Sequence, residues 1–247
     1  MATSVLITGA NRGIGKILVK VYLSRPNTTV IASVRDVGHS SATELDDFRV
    51  ESGSRLIVVK IDSTSDTDPD AAVNELKSKY NIIKLDTVIA NAALGTDWDT
   101  ISEATPSQAV QYFDANAAGP MRLFYATLPL LSAASTPRFV VISSIFGSIE
   151  MQTQLQVPNV VYGMSKAAVN FFARKVHHEY PNLIAFPMHP GWLQTDLGNG
   201  TAAKFGAGKA PTTVEDGVTA IVKVIDNSTR DETSGKFLND DGNTLPW

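Results

Sequence analysis

Six short apolar runs, each separated from the next by enough chain for a helix, confine this sequence to a narrow set of folds. The runs are 4–8, 29–34, 56–61, 87–90, 138–142 and 183–187. They are β-branched and apolar without polar alternation, as strands covered on both faces should be. Helix-length segments lie near 13–24, 41–51, 69–80, 107–132 and 162–180. This βαβα alternation predicts an α/β fold: a doubly wound parallel sheet with right-handed crossovers and helices on both faces. A chain of 247 residues can bury one large core, so one domain spanning 1–247 is expected.

Composition removes several function classes. The net charge of −4 argues against nucleic acid as a partner, because phosphate binding needs a basic face. There is no cysteine, which excludes disulfides, thiolate catalysis and Cys-ligated zinc. No cluster has metal-ligand spacing, so no metal is expected. No apolar stretch approaches the ~18 residues of a membrane span, and the N-terminus lacks the pattern of a signal peptide. A cytoplasmic enzyme with no membrane partner is the expectation.

The string Thr8-Gly9-Ala10-Asn11-Arg12-Gly13-Ile14-Gly15 follows the first run and opens a helix. Glycine permits a tight turn and lets the backbone approach a pyrophosphate. The helix start supplies free N–H groups and a partial positive charge. Glycines also serve ordinary turns; the position after a strand and before an amphipathic helix is what gives the string weight. Gly9, Asn11, Arg12, Gly13, Ile14 and Gly15 are therefore candidate dinucleotide contacts. An acid at the end of the second strand would hold the ribose 2′-hydroxyl of NAD. Val34 stands there instead, and Arg35 follows, suited to a 2′-phosphate. Arg12 can approach the same phosphate, which points to NADP(H). The alternative is that both arginines are simply solvated, and a shift of one residue in register would bring in Asp36. Asp62 and Ser63 end the third run; Asp62 can accept from an adenine amino group or cap the next turn. Asn91-Ala92-Ala93 follows the fourth run with residues small enough for close backbone approach.

Ser143-Ser144 follows the fifth run, and Tyr162-Gly163-Met164-Ser165-Lys166 begins a helix. Tyr and Lys at i and i+4 share a helical face. A nearby ammonium lowers a phenol's pKa from its usual ~10, and the same ammonium can bond a nicotinamide ribose. A serine hydroxyl can position a carbonyl while the tyrosine protonates the developing oxyanion. By itself such a pair usually marks plain surface; joined to the glycine turn it reads as hydride-transfer chemistry.

Taken together, these motifs resemble the short-chain dehydrogenase/reductase family over nearly the whole chain. The matching pieces are Thr8-Gly9-x-x-x-Gly13-x-Gly15, Asn91-Ala92-Ala93, Asn116, Ser144, Tyr162-x-x-x-Lys166 and Pro190-Gly191. The resemblance implies a single-domain Rossmann fold and a catalytic tetrad of Asn116, Ser144, Tyr162 and Lys166, with Asn116 helping to hold a proton-relay water. Ser144-Ile145-Phe146-Gly147 looks like the family's Ser-x-x-Gly, which favours Ser144 over Ser143. Pro190, Gly191 and Thr195 look like the segment that contacts nicotinamide. The tail from Ser234 to Trp247 resembles a subgroup containing sniffer-like carbonyl reductases and fungal norsolorinic acid ketoreductases. That implies NADPH-dependent reduction of a ketone or aldehyde, on small carbonyl substrates that include aromatic or polyketide-like ones. An alcohol dehydrogenase working oxidatively shares every one of these residues. A non-catalytic NADP(H)-binding sensor would have no need of Tyr162. The resemblance also implies a homo-oligomer, a dimer by preference, through the helices near 107–132 and 162–180.

Two departures stand out. Ala93 replaces a glycine usual in the family. The gap from Ser144 to Tyr162 is longer than usual, which suggests an insertion around Glu150–Pro158 lining the substrate mouth. The Gly- and Ala-rich stretch from Gly198 to Pro211 reads as a mobile loop near the ligand, or else a plain linker. His177 and His178 read as solvated or as helix-end partners, and His189 as either packing or substrate contact. Phe146, Trp192 and Phe205 read as pocket lining or as core.

Overall fold

The computed structural model describes residues 3–95, 97–155 and 157–247. The strands are β1 (Thr3–Thr8), β2 (Thr28–Val34), β3 (Arg55–Lys60), β4 (Thr87–Ala90), β5 (Arg138–Ile142) and β6 (Ile184–Met188). They form one parallel sheet in the order β3-β2-β1-β4-β5-β6. Between them run α1 (Gly13–Leu23), α2 (Ser40–Thr43), α3 (Asp68–Tyr80), α4 (Pro106–Phe113), α5 (Gly119–Leu131), α6 (Val160–Glu179), α7 (Asp196–Lys204) and α8 (Val214–Asp226). The expected doubly wound sheet is observed.

Side chains alternate across the sheet and feed two separate cores. Leu6, Ile31, Val88 and Phe139 point to one face, where α3, α5 and α6 cover them. Val5, Ile7, Val30 and Val140 point to the other, under α1 and α8. The central strands are buried along nearly their whole length, whereas the edge strand β3 alternates with solvent. Past β6, Leu238 bridges Met188 in parallel, so the C-terminal tail begins to extend the sheet.

Four local readings need correction. The helix expected near 41–51 is only α2 followed by a 3-10 turn at Glu44–Asp47. The segment 107–132 is interrupted by a π turn at Asp114–Ala118; such turns often sit at functional sites. The stretch Gly198–Pro211 is not one loop, because its first half belongs to α7. Thr195 caps that helix by accepting from the Gly198 N–H at 3.0 Å, and Asp196 sits favourably in its first turn. Lastly α8 was not expected: Gly217 and a run of β-branched residues weaken its local propensity. Tertiary packing outweighs this, burying Val218, Ile221, Val222 and Ile225.

Phe124, fully buried on α5, meets Tyr125, Phe139, Phe172 and Tyr180 with ring centroids between 5.0 and 6.1 Å. Phe124→Ala is expected to cost about 3–5 kcal/mol, by lost transfer energy plus a residual cavity. A drop in the urea midpoint with an unchanged slope would show it; a loss below about 1 kcal/mol would mean the helices collapse into the space.

Candidate active site

The winding of the sheet reverses between β1 and β4, and open α/β sheets bind ligands at such a point. There the Thr8 hydroxyl accepts from the Asn91 and Ala92 N–H groups, both at 3.0 Å. Asn91 Nδ2 donates to the Thr8 carbonyl at 2.8 Å and to the Gly9 carbonyl at 3.3 Å. Gly9 has φ +63°, and a Cβ on Gly15 would stand 2.1 Å from the Gly9 carbonyl oxygen. Only glycines close this turn.

The cradle fits a dinucleotide. α4, α7 and α8 are each preceded by a threonine that accepts from a backbone N–H, but Arg12, which precedes α1, gives no side-chain cap, and the first turn of α1 holds no acid. Its first N–H groups therefore face the crevice unblocked, as an anion site needs. Thr195 Cγ2 lies 3.4 Å from where a Gly13 Cβ would be, which closes the far wall. Asn11 Nδ2 donates to Ser41 Oγ at 2.7 Å and joins the turn to α2. Arg12 and Arg35 are exposed at the rim, and Val34 is buried. Asp36 lies beyond the strand end, with its carboxylate accepting from the Gly38 N–H at 2.9 Å. Asp62 accepts from the Thr64 N–H and hydroxyl at 2.9 and 2.8 Å, the turn-capping alternative. Ser63 packs against Gly119, and its carbonyl accepts from Arg122 at 3.1 Å. Gly191, at φ +81°, lies over the Asp240 carboxylate behind Pro190.

At the end of β5 the two serines diverge. Ser143 Oγ donates to Asn170 Oδ1 at 2.6 Å inside the core. Ser144 faces the Tyr162 phenol instead and caps the following turn, accepting from the Phe146 N–H at 3.3 Å. Lys166 Nζ donates to the Ile142 carbonyl at 2.9 Å and lies 5.6 Å from the Tyr162 ring centre. Asn116, in the π turn, accepts from the Leu94 N–H at 2.7 Å. It donates to the Leu94 carbonyl and to Ser165 Oγ, both at 2.9 Å. Its side-chain N–H groups are thus spent on holding the β4–α4 connection against α6.

One electrostatic expectation is reversed. Burial pushes the Tyr162 phenol up to about 12, and the neighbouring Ser144 hydroxyl offsets only part of that. Burial likewise pulls Lys166 down to about 8. Desolvation outweighs the pairing because the ammonium is turned to the Ile142 carbonyl. Burial also lowers His189 to about 4, which leaves its ring neutral. His177 Nδ1 contacts Ser234 Oγ at 2.8 Å and Arg230, a structural tie to the tail.

Residues 3–205 match the short chain dehydrogenase family. The chain belongs to that family. Over 249 residues it is 41% identical to norsolorinic acid ketoreductase nor1 of Dothistroma septosporum, covering 99% of this chain and 92% of that one. It is 39% identical to norsolorinic acid ketoreductase of Aspergillus parasiticus, with 99% and 91% covered. NADPH-bound carbonyl reductase from chicken fatty liver superposes with a TM-score of 0.87 at 28% identity, covering 100% and 99%. Carbonyl reductase Sniffer of D. melanogaster gives 0.83 at 26%, covering both chains fully.

In this short-chain dehydrogenase the segment 148–159 forms a 3-10 turn at Glu150–Thr153, Gln156 lying outside the described residues. Glu150 N–H donates to the Trp247 carbonyl at 2.9 Å, and Gln152 Nε2 to the Phe146 and Ser148 carbonyls. Trp192 donates its indole N–H to the Gly198 carbonyl at 2.9 Å, so it braces α7. Phe146 and Phe205 meet through Trp98, a residue the sequence reading passed over. Nothing in its local pattern distinguishes it from other loop aromatics.

Lys166 carries a testable pH dependence. Unfolded, it keeps its proton up to 10.5; folded, only to about 8. Between those values the unfolded state binds more protons, so this group makes stability rise with pH. Lys166→Met removes the contribution. In urea titrations the unmodified protein is expected to gain on the variant as pH rises from about 8 towards 10.5. A pH-independent difference would contradict a depressed amine.

Proposed function

We propose that this chain reduces ketones or aldehydes to alcohols with NADPH. The observation that carries the reading is Tyr162 set against Ser144 and beside Lys166, at the strand ends that also carry the glycine cradle. Bound NADPH would supply the hydride. Ser144 positions the carbonyl oxygen and Tyr162, kept neutral by burial, gives it a proton. Lys166 holds the ribose and supports proton resupply. Asn116 positions α6 and the β4–α4 connection, and through them any relay water. Gly9, Asn11, Gly13, Ile14, Gly15, Asp62, Ser63, Asn91, Pro190, Gly191 and Thr195 line the cofactor path, with Arg12 and Arg35 at the 2′-phosphate. The names of the relatives support ketone reduction and a polyketide-like substrate. No described helix is long and apolar enough to cross a membrane, and we place the enzyme in the cytoplasm.

Exposed Phe113, Tyr125, Met164 and Phe171 on α4, α5 and α6 favour a homodimer through these helices. Light scattering is expected to give twice 26.5 kDa at micromolar concentration; a 26.5 kDa particle would refute pairing.

In an NADPH-oxidation assay over a panel of carbonyl compounds, Tyr162→Phe should lower kcat on the order of 10²-fold or more while NADPH still binds. Near-normal kcat would remove the proposed acid. In the same assay Arg35→Ala should erode a preference for NADPH over NADH, and Val34→Asp should erode it further. Equal kcat/KM for the two cofactors in the unmodified protein would sink the phosphate assignment.

A further inference from the structure

Aromatic side chains from separate segments wall the Tyr162 ring. Trp98, half-buried in the β4–α4 connection, has its ring centre 6.4 Å from that of Tyr162. It meets Phe146 at 5.9 Å and 75°, and Phe205 at 6.1 Å and 87°. Phe146 itself lies 6.4 Å from Tyr162. Phe205, which follows α7, is 40% exposed. The indole thus runs from the open rim to the phenol where chemistry is proposed.

The position of that indole is fixed from two elements. Asp97 N–H donates to the Tyr112 hydroxyl of α4 at 2.8 Å. Gln108 Nε2, also of α4, donates to Asp99 Oδ2 at 2.7 Å. Lys204 Nζ, at the end of α7, donates to the Trp98 carbonyl at 2.9 Å. Residues on both sides of Trp98, and its own backbone, are anchored before any ligand arrives, so little ordering cost remains for binding. Aliphatic side chains would exclude water equally well. Near-perpendicular rings add faces and edges of opposite quadrupole sign, which attract a flat conjugated ring in offset or edge-on contact.

We propose that Trp98, with Phe146 and Phe205, is a specificity-determining clamp that selects aryl ketones and aldehydes. It holds the ring attached to the carbonyl while Ser144 and Tyr162 take the oxygen. The clamp rests on the carbonyl-reduction reading above.

Acetophenone and cyclohexyl methyl ketone test it, because they share a methyl carbonyl and a six-carbon ring and differ in aromaticity. Their inherent reactivities differ equally for every variant, so that difference cancels when ratios are compared between variants. The ratio of kcat/KM, acetophenone over cyclohexyl methyl ketone, is expected to fall about 3- to 10-fold in Trp98→Leu, the size of one aromatic pair contact. Trp98→Phe should keep most of the ratio, and NADPH affinity should be the same in all three proteins. Phe205→Leu, altered at the rim, should lower the ratio too and serves if the Trp98 loop does not tolerate leucine. An unchanged ratio in a Leu variant that still turns over both ketones overturns the clamp and leaves carbonyl reduction standing. An unmodified protein that binds NADPH but reduces neither ketone nor the matching aldehydes overturns the reductase reading, and the clamp with it.

Discussion

The meeting of β1 and β4 at their carboxyl ends is the constraint on which the rest of the molecule depends. Two strands that are far apart in sequence are tied there by one threonine hydroxyl and one asparagine amide. Because Asn91 reaches the Gly9 carbonyl, the glycine turn cannot relax outward, and α1 must start where Gly15 touches it. An alanine at Gly15 would collide with the Gly9 backbone carbonyl, which cannot swing aside, and with the Asn91 amide that holds it. The free N–H groups of α1 are therefore aimed by strand pairing, and the anion site follows from sheet topology more than from loop sequence.

Burial acts on Tyr162 and Lys166 in a consistent sense. It favours the neutral phenol and the neutral amine alike, since both charged forms lose hydration. A neutral phenol near pH 7 is a proton donor, which is the form carbonyl reduction needs. A lysine near 8 can lose and regain a proton close to working pH, unlike one at its ordinary value. The Ile142 carbonyl, at the very end of β5, fixes where that amine sits. Strand length thus sets where Lys166 stands beside the Tyr162 ring.

The fold was legible because the strands carry continuous apolar runs, a signal that survives without any knowledge of tertiary structure. Helices were legible where length and position between strands sufficed, as at α6, which starts without a side-chain cap. They were misread where composition and packing disagree. α8 holds a glycine and β-branched residues, yet buries one face so fully that propensity is overruled. α7 was masked by its glycines, although Thr195-Asp196 already marked a helix start. The glycine turn and the nearness of Tyr162 to Lys166 were readable from spacing. Their electrostatics were not, because desolvation depends on what packs around Tyr162, and those residues come from far along the chain. Trp98 was invisible for the same reason: its meaning lies in partners at 146, 162 and 205.

The π turn at Asp114–Ala118 explains how these distant parts act as one unit. An uninterrupted helix from Pro106 to Leu131 would carry each residue at a fixed angle to the next. Widening one turn resets the angle between α4 and α5, and Asn116 sits inside that turn. From there its amide reaches Leu94 on one side and Ser165 on the other, and Ser165 donates to the Tyr162 carbonyl at 2.7 Å. The connection that bears Trp98 and the helix that bears Tyr162 are therefore bolted to the same side chain. A buried amide with this many short bonds is costly to disturb, because breaking any one strands a desolvated partner. The segment bearing Trp98 and the helix bearing Tyr162 are held in one frame, and a shift of either is resisted by the other.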